Sequence, residues 1–563
     1  MNWRSVVLSG VILLNGCQLS PPRAELILLS GQIHTMDISQ PLAQAIAIRE
    51  GKVIAIGSNQ DITQWQGKQT EVIDLAGRMV LPGLLDSHLH SIEGALALDA
   101  CSMDDEKLSF DELSQRIKQC AAEQEGDDWL QVLNVRSVGT GLSRQKLDSI
   151  LPERPLYVVS TDAHTAWVNT IGFKKAGVTA TTLAPETGKI GLDAQGQLNG
   201  VLLDGATALV SKTIPDMPLQ QRVAALQRVI KQLNANGITG YLEANSNEAS
   251  IATFCALAAT GKLTAHVTIS LGSEGQATEA EFTRLQDLKK RAQDCGLQAD
   301  TIKLFADGVM EYPTQTAALL QPYIDENGKT TSNKGPLYLP EAQLKVFSLM
   351  ALQQGFSLHV HAIGDAAVHE VLDAFEYARS QVPHNQSRLS MAHLQLIDPQ
   401  DYARFAKLDV IASLQLLWAQ PDEYSVDAVR PYIGVARHER LYPAASLVNA
   451  GATVAGGSDW NVSSFNPFAA MAIGTSRTNP DQPQLGSLNS EQALSLSTLL
   501  AAYTHNAAQV MGQAQQIGQL KVGMDADVIV LDRYLDDSSS AAQIAETQVE
   551  LTLFKGQTVY RQP

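Results

Sequence analysis

The sequence has little of several features that mark special classes of protein. Its 563 residues include only five cysteines, which are too few for a disulfide scaffold. It contains no run of lysine and arginine, and 41 basic against 59 acidic side chains give a net charge of −18. A surface of this sign repels phosphate backbones, so a nucleic-acid partner is not expected. After the first residues, no segment is long and apolar enough to cross a membrane.

The remaining composition is that of an ordinary folded protein. Hydrophobic residues make up 45% and charged residues 18% of the chain, which argues against disorder. Glycine (40) and proline (22) occur at near-average frequency, which excludes collagen-like and low-complexity chains. These features predict a large, soluble, acidic globular protein, typical of an enzyme.

The N-terminus predicts export and anchoring. Residues 1–16 contain an apolar stretch from Val6 to Leu14, which is too short to span a bilayer but suits a signal peptide. The segment ends in Leu-Asn-Gly before Cys17 and resembles the bacterial lipobox, in which the cysteine becomes lipid-modified. Because Gln18 stands where an Asp would favour the inner membrane, we expect a lipid anchor in the outer membrane of the bacterial cell envelope, facing the periplasm. A plain secretory signal with an incidental cysteine is the alternative.

A short polar tether, residues 17–24, leads into β-rich sequence that recurs at the far end of the chain. Residues 25–80 and 513–563 consist of short β-rich runs broken by Gly and Asp turns. Two such ends around a long middle predict one small β-sandwich domain built from both termini. Two independent β modules are the alternative, although each would be very small.

The middle of the chain, residues 81–512, alternates between strand and helix patterns and predicts an α/β fold, a (β/α)8 TIM-type barrel. The strand candidates are Met79–Leu85, Gly237–Glu243, Ala265–Leu271, Asp300–Phe305, Ser357–His361, Leu389–His393, Asp409–Leu414 and Ala452–Gly457. Residues 91–218, after the first strand, are too many for one loop and carry their own strand patterns. We therefore expect an insertion that caps the barrel mouth.

Histidine, lysine and aspartate recur where these strands end. His88 and His90 close the first strand, and an i, i+2 pair on a strand points to one face, so both imidazoles can reach one ion. The later strand ends carry Lys303 (fourth), His361 (fifth), His393 (sixth) and Asp459 (after the eighth). Barrel active sites are built at this face. Neutral imidazoles and carboxylates suit first-row metal ions, zinc above all.

Several segments together resemble one known family. They are PGLLDSHLH, IKLFADG, HAIGD, the SD after the eighth strand and the closing ADVIVLD. From residue 25 onward, the chain resembles the metal-dependent amidohydrolase superfamily, and within it the amidohydrolase-3 branch. The resemblance implies that His88 and His90 bind one metal ion. It implies that Lys303 is carboxylated by carbon dioxide and bridges two ions, the second of which is bound by His361 and His393.

The implied reaction is hydrolysis of a C–N bond, in an amide, N-acyl or N-formyl group of a small molecule, by a metal-activated hydroxide. One or two divalent ions, with zinc expected, would lower the pKa of the attacking water. Asp459 would bind a metal, accept a proton and pass it to the leaving nitrogen. Single-metal hydrolysis or deamination of a cyclic substrate stays open, although the H-x-x-E motif of deaminases is missing after the fifth strand. A non-catalytic solute-binding lipoprotein and a homodimer also stay open.

Further residues have two interpretations each. His164 lies in DAHTAWVN, which resembles the family segment D-G-H-x-x-W-V-N and implies a histidine that faces the substrate. The alternative is a buried histidine that packs the cap. Lys303 has the alternative of a structural lysine paired with Asp307. His359 shares a face with His361 one layer deeper, and we expect a core histidine or one that supports a metal ligand.

The cysteines after residue 100 allow a limited prediction. An oxidising compartment permits a disulfide between Cys101 and Cys120 in the insertion, but the spacing alone cannot show that their Cα atoms are close enough. Cys255 and Cys295 are expected to be buried free thiols.

Overall fold

The computed structural model describes residues 23–98, 100–124, 126, 128–137, 141–185 and 187–563. The predicted signal peptide and Cys17 therefore lie outside the described residues. Among the described residues, every helix is either too short or too polar to cross a bilayer.

Eight parallel strands form a nearly closed barrel, as the alternating pattern predicts. In spatial order they are Leu84–Leu89, Ile238–Ser246, His266–Gly272, Gln298–Phe305, Ser357–Ala362, Leu389–His393, Val410–Leu414 and Val454–Gly456. The first and last strands meet where the N–H of Ser458 donates to the carboxylate of Asp86 (3.1 Å). This contact joins the two edge strands of the sheet at the face where the predicted ligands lie.

Helices surround the barrel and bury their apolar faces against it. The main ones are Leu219–Ala235, Glu248–Ala259, Glu279–Asp294, Glu341–Gln353, Asp365–Gln381, Tyr402–Leu408, Ala444–Asn449, Pro467–Ser476, Leu496–Ala501 and Ala507–Met511. In the first of these, Leu226, Val229, Ile230 and Leu233 recur at helical spacing and are buried in the main core. Asn247 begins the second helix with a reciprocal capping box to Ser250, which satisfies main-chain donors that the helix leaves unpaired.

The prediction of one strand over Met79–Leu85 is wrong, because two strands share this apolar run. Met79–Pro82 belongs to a sheet outside the barrel, and the first barrel strand begins at Leu84. Gly83 separates them, and a Cβ at this position would lie 2.1 Å from the Thr239 hydroxyl. Only glycine allows the chain to pass this close to the second barrel strand.

Strands from both chain ends pair in one six-stranded sheet. In order they are Gln557–Arg561, Val549–Phe554, Val528–Leu531, Met79–Pro82, Gln32–His34 and Leu42–Ala43. A four-stranded sheet contains Lys52–Gly57, Ala45–Arg49, Leu26–Leu29 and Glu71–Asp74. One apolar cluster contains residues of both sheets, among them Leu28 and Val530. The antiparallel pairing of Val528–Leu531 with Met79–Pro82 contradicts the alternative of two independent β modules.

Residues between the first and second barrel strands form a separate six-stranded sheet. Its strands are Gly188–Leu192, Leu198–Asp204, Thr165–Val168, Leu156–Ser160, Leu130–Val135 and Cys101–Ser102. Helices Ser91–Ala97, Phe110–Glu123, Arg144–Ile150 and Thr170–Ala176 accompany it. Its apolar residues form two clusters of their own. It contacts barrel loops through polar pairs such as Arg136 with Glu423 (2.9 Å) and Thr165 with Thr314 (3.2 Å).

Two disulfides join the four cysteines beyond residue 100. Cys101 and Cys120 are bonded, with Cα atoms 5.8 Å apart, so the bond that the spacing left open is present. The prediction of free thiols at Cys255 and Cys295 is wrong, since these residues are also bonded, with Cα atoms 5.3 Å apart. Their bond ties the helix Glu248–Ala259 to the end of the next helix, which the sequence pattern did not show to be adjacent.

Candidate metal centre

The six residues predicted as metal ligands all lie at the carboxyl ends of barrel strands. His88, Lys303, His361, His393 and Asp459 are buried, and His90 is largely so. A polar cluster at this depth is unfavourable unless its members pair with one another or with an ion. The geometry of three smaller groups shows how they are arranged.

His88, His90 and Asp459 form the tightest group. The Nε2 atoms of both imidazoles lie 3.2 Å from Oδ1 of Asp459. This oxygen is buried and makes no hydrogen bond to any described residue, so the short distances lack hydrogen-bond geometry. Ligand atoms about 2.0–2.1 Å from a tetrahedral ion lie roughly 3.3 Å from one another. The donor types, their spacing and the orphaned oxygen therefore fit a divalent metal ion.

The charge state of Asp459 suits this role. Burial raises the pKa of its carboxyl, but His88 and His90 more than offset that effect and hold the pKa well below its usual range. Its main-chain N–H donates to the carbonyl oxygen of His88 (2.7 Å), which fixes the loop after the eighth strand against the first strand. An anionic carboxylate is thus held beside two imidazoles.

Lys303 lies beside this group and not in an ion pair with Asp307. Its Nζ is 3.2 Å from Nε2 of His88, and burial lowers the pKa of its amine to about 7. A neutral amine is the form that adds carbon dioxide to give a carbamate. The carboxylate of Asp307 instead accepts hydrogen bonds from three main-chain N–H groups, and no ion pair joins it to Lys303 within the described ranges. The pairing offered as the alternative for Lys303 is therefore not observed.

His361 and His393 form a second imidazole pair. Their ring centroids are 4.4 Å apart, and the His393 ring is 4.9 Å from that of His88. Burial lowers the pKa of both side chains well below the ordinary value, so both are neutral, as metal ligands must be. Nε2 of His361 donates to the carbonyl oxygen of Gly308 (3.0 Å), which leaves Nδ1 as its free lone pair. Nδ1 of His393 is buried and has no hydrogen-bond partner among the described residues.

Carboxylates that the sequence analysis did not assign hold the first-strand segment in place. Oε2 of Glu93 lies 3.2 Å from Nδ1 of His90, at i+3 on the helix that follows the strand. Glu243, from the second strand, accepts hydrogen bonds from the N–H and hydroxyl of Ser91 (2.8 and 2.5 Å). Asp86 accepts a hydrogen bond from the N–H of His88 (3.0 Å). The i+3 spacing of Glu93 was visible in the sequence, whereas Glu243 reaches the segment only through the barrel.

His164 extends from the six-stranded sheet of residues 101–204 to the predicted metal ligands. Its ring centroid is 5.5 Å from that of His361, and its Nδ1 is 2.6 Å from Oδ1 of Asp204. His164 directly precedes the strand Thr165–Val168, which pairs with the strand Leu198–Asp204, and the N–H of Asp204 donates to the carbonyl oxygen of His164 (2.8 Å). Burial lowers the pKa of His164, but Asp204 more than offsets this and leaves it raised. Sequence reasoning placed His164 near the site and missed Asp204.

A nearly closed parallel barrel with histidines, a lysine and an aspartate at its carboxyl face is the architecture of metal-dependent hydrolases. The model of the Amidohydrolase family matches residues 71–560, and the chain belongs to this family, in the amidohydrolase-3 branch that the motifs indicated. The match extends over the barrel and over parts of both end sheets.

Similar proteins span nearly the whole chain. Protein LONG AFTER FAR-RED 3 of Arabidopsis thaliana is 28% identical over 91% of this chain and 88% of its own. The putative amidohydrolase YtcJ of Bacillus subtilis is 27% identical (94% and 98%), and N-substituted formamide deformylase of Arthrobacter pascens is 24% identical (94% and 97%). An uncharacterised metal-dependent hydrolase from Pyrococcus horikoshii has the same fold, with a TM-score of 0.69, 22% identity and coverage of 92% and 99%.

Proposed function

We propose that this protein hydrolyses a C–N bond, in an amide, N-acyl or N-formyl group of a small molecule, with one or two zinc ions. The observation that carries the proposal is the unbonded, buried Oδ1 of Asp459, 3.2 Å from Nε2 of both His88 and His90. Membership of the Amidohydrolase family supports the reaction class, and the relative named as a formamide deformylase supports the type of bond.

The donor set favours zinc and supports a second ion. Histidine nitrogens and a carboxylate are typical zinc ligands, and zinc, when bound, lowers the pKa of water and polarises a carbonyl group. His88, His90 and Asp459 would hold one ion. Lys303 as its carbamate, with His361 and His393, would hold another, and the neutral state of both histidines supports this assignment.

The chain itself supplies the proton transfers and substrate contacts. The carboxylate of Asp459 accepts a proton from the attacking water and passes it to the leaving nitrogen as the C–N bond breaks. His164, held by Asp204, contacts the substrate from the insertion at 91–218, which we propose covers the barrel mouth. We propose that the two end sheets form the β-sandwich domain, which is supported by the apolar cluster that contains residues of both.

We also propose that the protein is lipid-anchored at Cys17 in the bacterial outer membrane and faces the periplasm. The lipobox-like sequence around Cys17 supports the anchor. The two disulfides support an oxidising compartment, because such bonds are rare in the cytosol.

Metal analysis combined with a substrate panel tests the proposed function. The purified protein is treated with chelator, reloaded with zinc in steps and assayed against N-formyl and N-acyl amines. We expect amine release that follows zinc content and saturates at one or two ions per chain. Zinc binding without turnover on any member would favour the solute-binding alternative, and ammonia release from cyclic amidines would favour the deaminase.

A further inference from the structure

His359 contacts the predicted ligand His88 at Nδ1, the ring nitrogen that does not face Asp459. Its Nε2 is 2.6 Å from Nδ1 of His88, and both side chains are fully buried. On its other side, Nδ1 of His359 is 2.8 Å from the hydroxyl of Ser390. The hydroxyl of Ser390 in turn lies 3.3 Å from the carbonyl oxygen of Leu358. Four groups therefore form one line that ends at a ligand of the candidate metal centre.

One consistent set of hydrogen-bond directions runs through this line and ends in a lone pair at the candidate metal centre. In this set the single hydroxyl hydrogen of Ser390 is donated to the carbonyl oxygen of Leu358, which can only accept. The hydroxyl oxygen then accepts from Nδ1–H of His359, which leaves Nε2 of the neutral His359 ring as an acceptor. That nitrogen accepts from Nδ1–H of His88. Nε2 of His88 is thus left with a lone pair, 3.2 Å from both Asp459 and Lys303.

The barrel register holds the line together. His359 pairs with Ser390 in the neighbouring sixth strand and with Lys303 in the fourth. Turning either ring would leave a buried N–H or lone pair without a partner, at a cost of about 1–3 kcal/mol.

We propose that His359 is a positioning residue, which with Ser390 sets the tautomer and orientation of His88 so that its Nε2 lone pair binds the metal ion. This inference rests on the proposed function, because it assigns a role toward the proposed ion. Groups that orient a ligating histidine are usually a carboxylate, a carbonyl or water, and their loss costs about 10- to 100-fold in metal affinity. Here a second imidazole and a hydroxyl take that role.

The test measures zinc affinity in the folded protein by competition with a chromophoric chelator, together with the absorption bands of the cobalt-loaded protein. His359→Phe keeps the ring volume and removes the acceptor, so the Kd for zinc should rise about 10- to 100-fold. His359→Gln can still present an amide oxygen to His88 and should stay within a few-fold of wild type. Ser390→Ala should weaken zinc binding less than His359→Phe and shift the cobalt bands in the same direction.

Ser270→Ala is the matched control, because its hydroxyl is also buried in a barrel strand but has no partner among the described residues. It should leave the Kd unchanged. If the variants only lower the melting temperature and keep wild-type zinc affinity, the role of His359 is structural and the inference is wrong. If His359→Phe fails to fold, a Ser390→Ala variant with wild-type affinity and unshifted cobalt bands overturns it equally.

Failure of the proposed function gives a different result. A wild-type protein that binds zinc but hydrolyses nothing would overturn the proposed reaction, while the affinity ratios among these variants would still decide the role of His359. Absence of any zinc binding by the wild type would overturn both.

Discussion

Gly94 and Trp460 are packed so closely that no side chain fits at Gly94. A Cβ at this position would lie 2.2 Å from the indole ring of Trp460. Gly94 is in the helix Ser91–Ala97, which follows the first-strand histidines, and Trp460 follows Asp459 directly. The contact therefore joins the two segments that supply the tightest group of the candidate metal centre.

Gly94→Ala should be destabilising and should weaken zinc binding, because Trp460 must move and Asp459 is its neighbour in the chain. At an exposed helix position, replacing Gly by Ala would raise the free energy of unfolding by about 1 kcal/mol, whereas overpacking lowers it by about 1–3 kcal/mol. The sign of the change in unfolding free energy therefore distinguishes the two cases. Thermal unfolding with and without zinc measures both effects. Gly474→Ala is the control, since its Cβ would meet the ends of the Leu499 and Leu416 side chains at 3.1 and 3.4 Å. A more stable Gly94→Ala protein with normal zinc affinity would contradict the prediction.

Lys303→Ala should lose at least one metal ion and nearly all turnover, because the proposed carbamate is the anionic ligand between the two groups. Short-chain carboxylates should restore part of both, since they supply the same oxygens. Metal content by mass spectrometry and initial rates with added acetate or propionate measure this. A variant that is less thermostable but keeps its metal content and specific activity would show that the lysine is structural.

Asp459→Asn should behave differently from Lys303→Ala. Its amide oxygen can still contact an ion, but the group cannot accept a proton, so the turnover rate should fall on the order of a hundredfold or more. Zinc content should fall far less than the rate. Rate and zinc content are measured on the same preparation, and a near-normal rate would exclude the proton transfers proposed for Asp459.

Replacing both Cys255 and Cys295 by Ser should lower stability and leave the metal centre intact. The bond closes a separation of 40 residues, which corresponds to roughly 4 kcal/mol in the loop-entropy model. Chemical denaturation of the wild type and the double variant measures the difference. The thiol titre of the unfolded, non-reduced protein should be the same in both, and a higher titre in the wild type would show that these cysteines are free.

Cys17→Ser should release the protein into the soluble periplasmic fraction, because the proposed lipid is its anchor. Fractionation of cells that express the wild type and the variant at equal levels measures this. A variant that still sediments with membranes would contradict the lipobox interpretation.

Most of the barrel and of the candidate site could be predicted from the sequence because strand periodicity and strand ends are local features. His88, His361 and His393 were placed correctly at strand ends by this reasoning. The disulfide at Cys255 could not be predicted, since it depends on how two helices pack. The division of the apolar run at Gly83 could not be predicted either. The strands Met79–Pro82 and Leu84–Leu89 are equally hydrophobic, and only the contact of Gly83 with Thr239 separates them.

The six-stranded sheet of the chain ends has a consequence for the order of folding. Met79–Pro82 is an internal strand whose antiparallel partner, Val528–Leu531, is made more than four hundred residues later. During synthesis, one edge of this strand therefore remains unpaired until almost the whole barrel has been translated. Unpaired strand edges are sites of aggregation. We therefore expect closure of this sheet to be a late and slow event, since contacts so distant in sequence carry the largest loop-closure entropy.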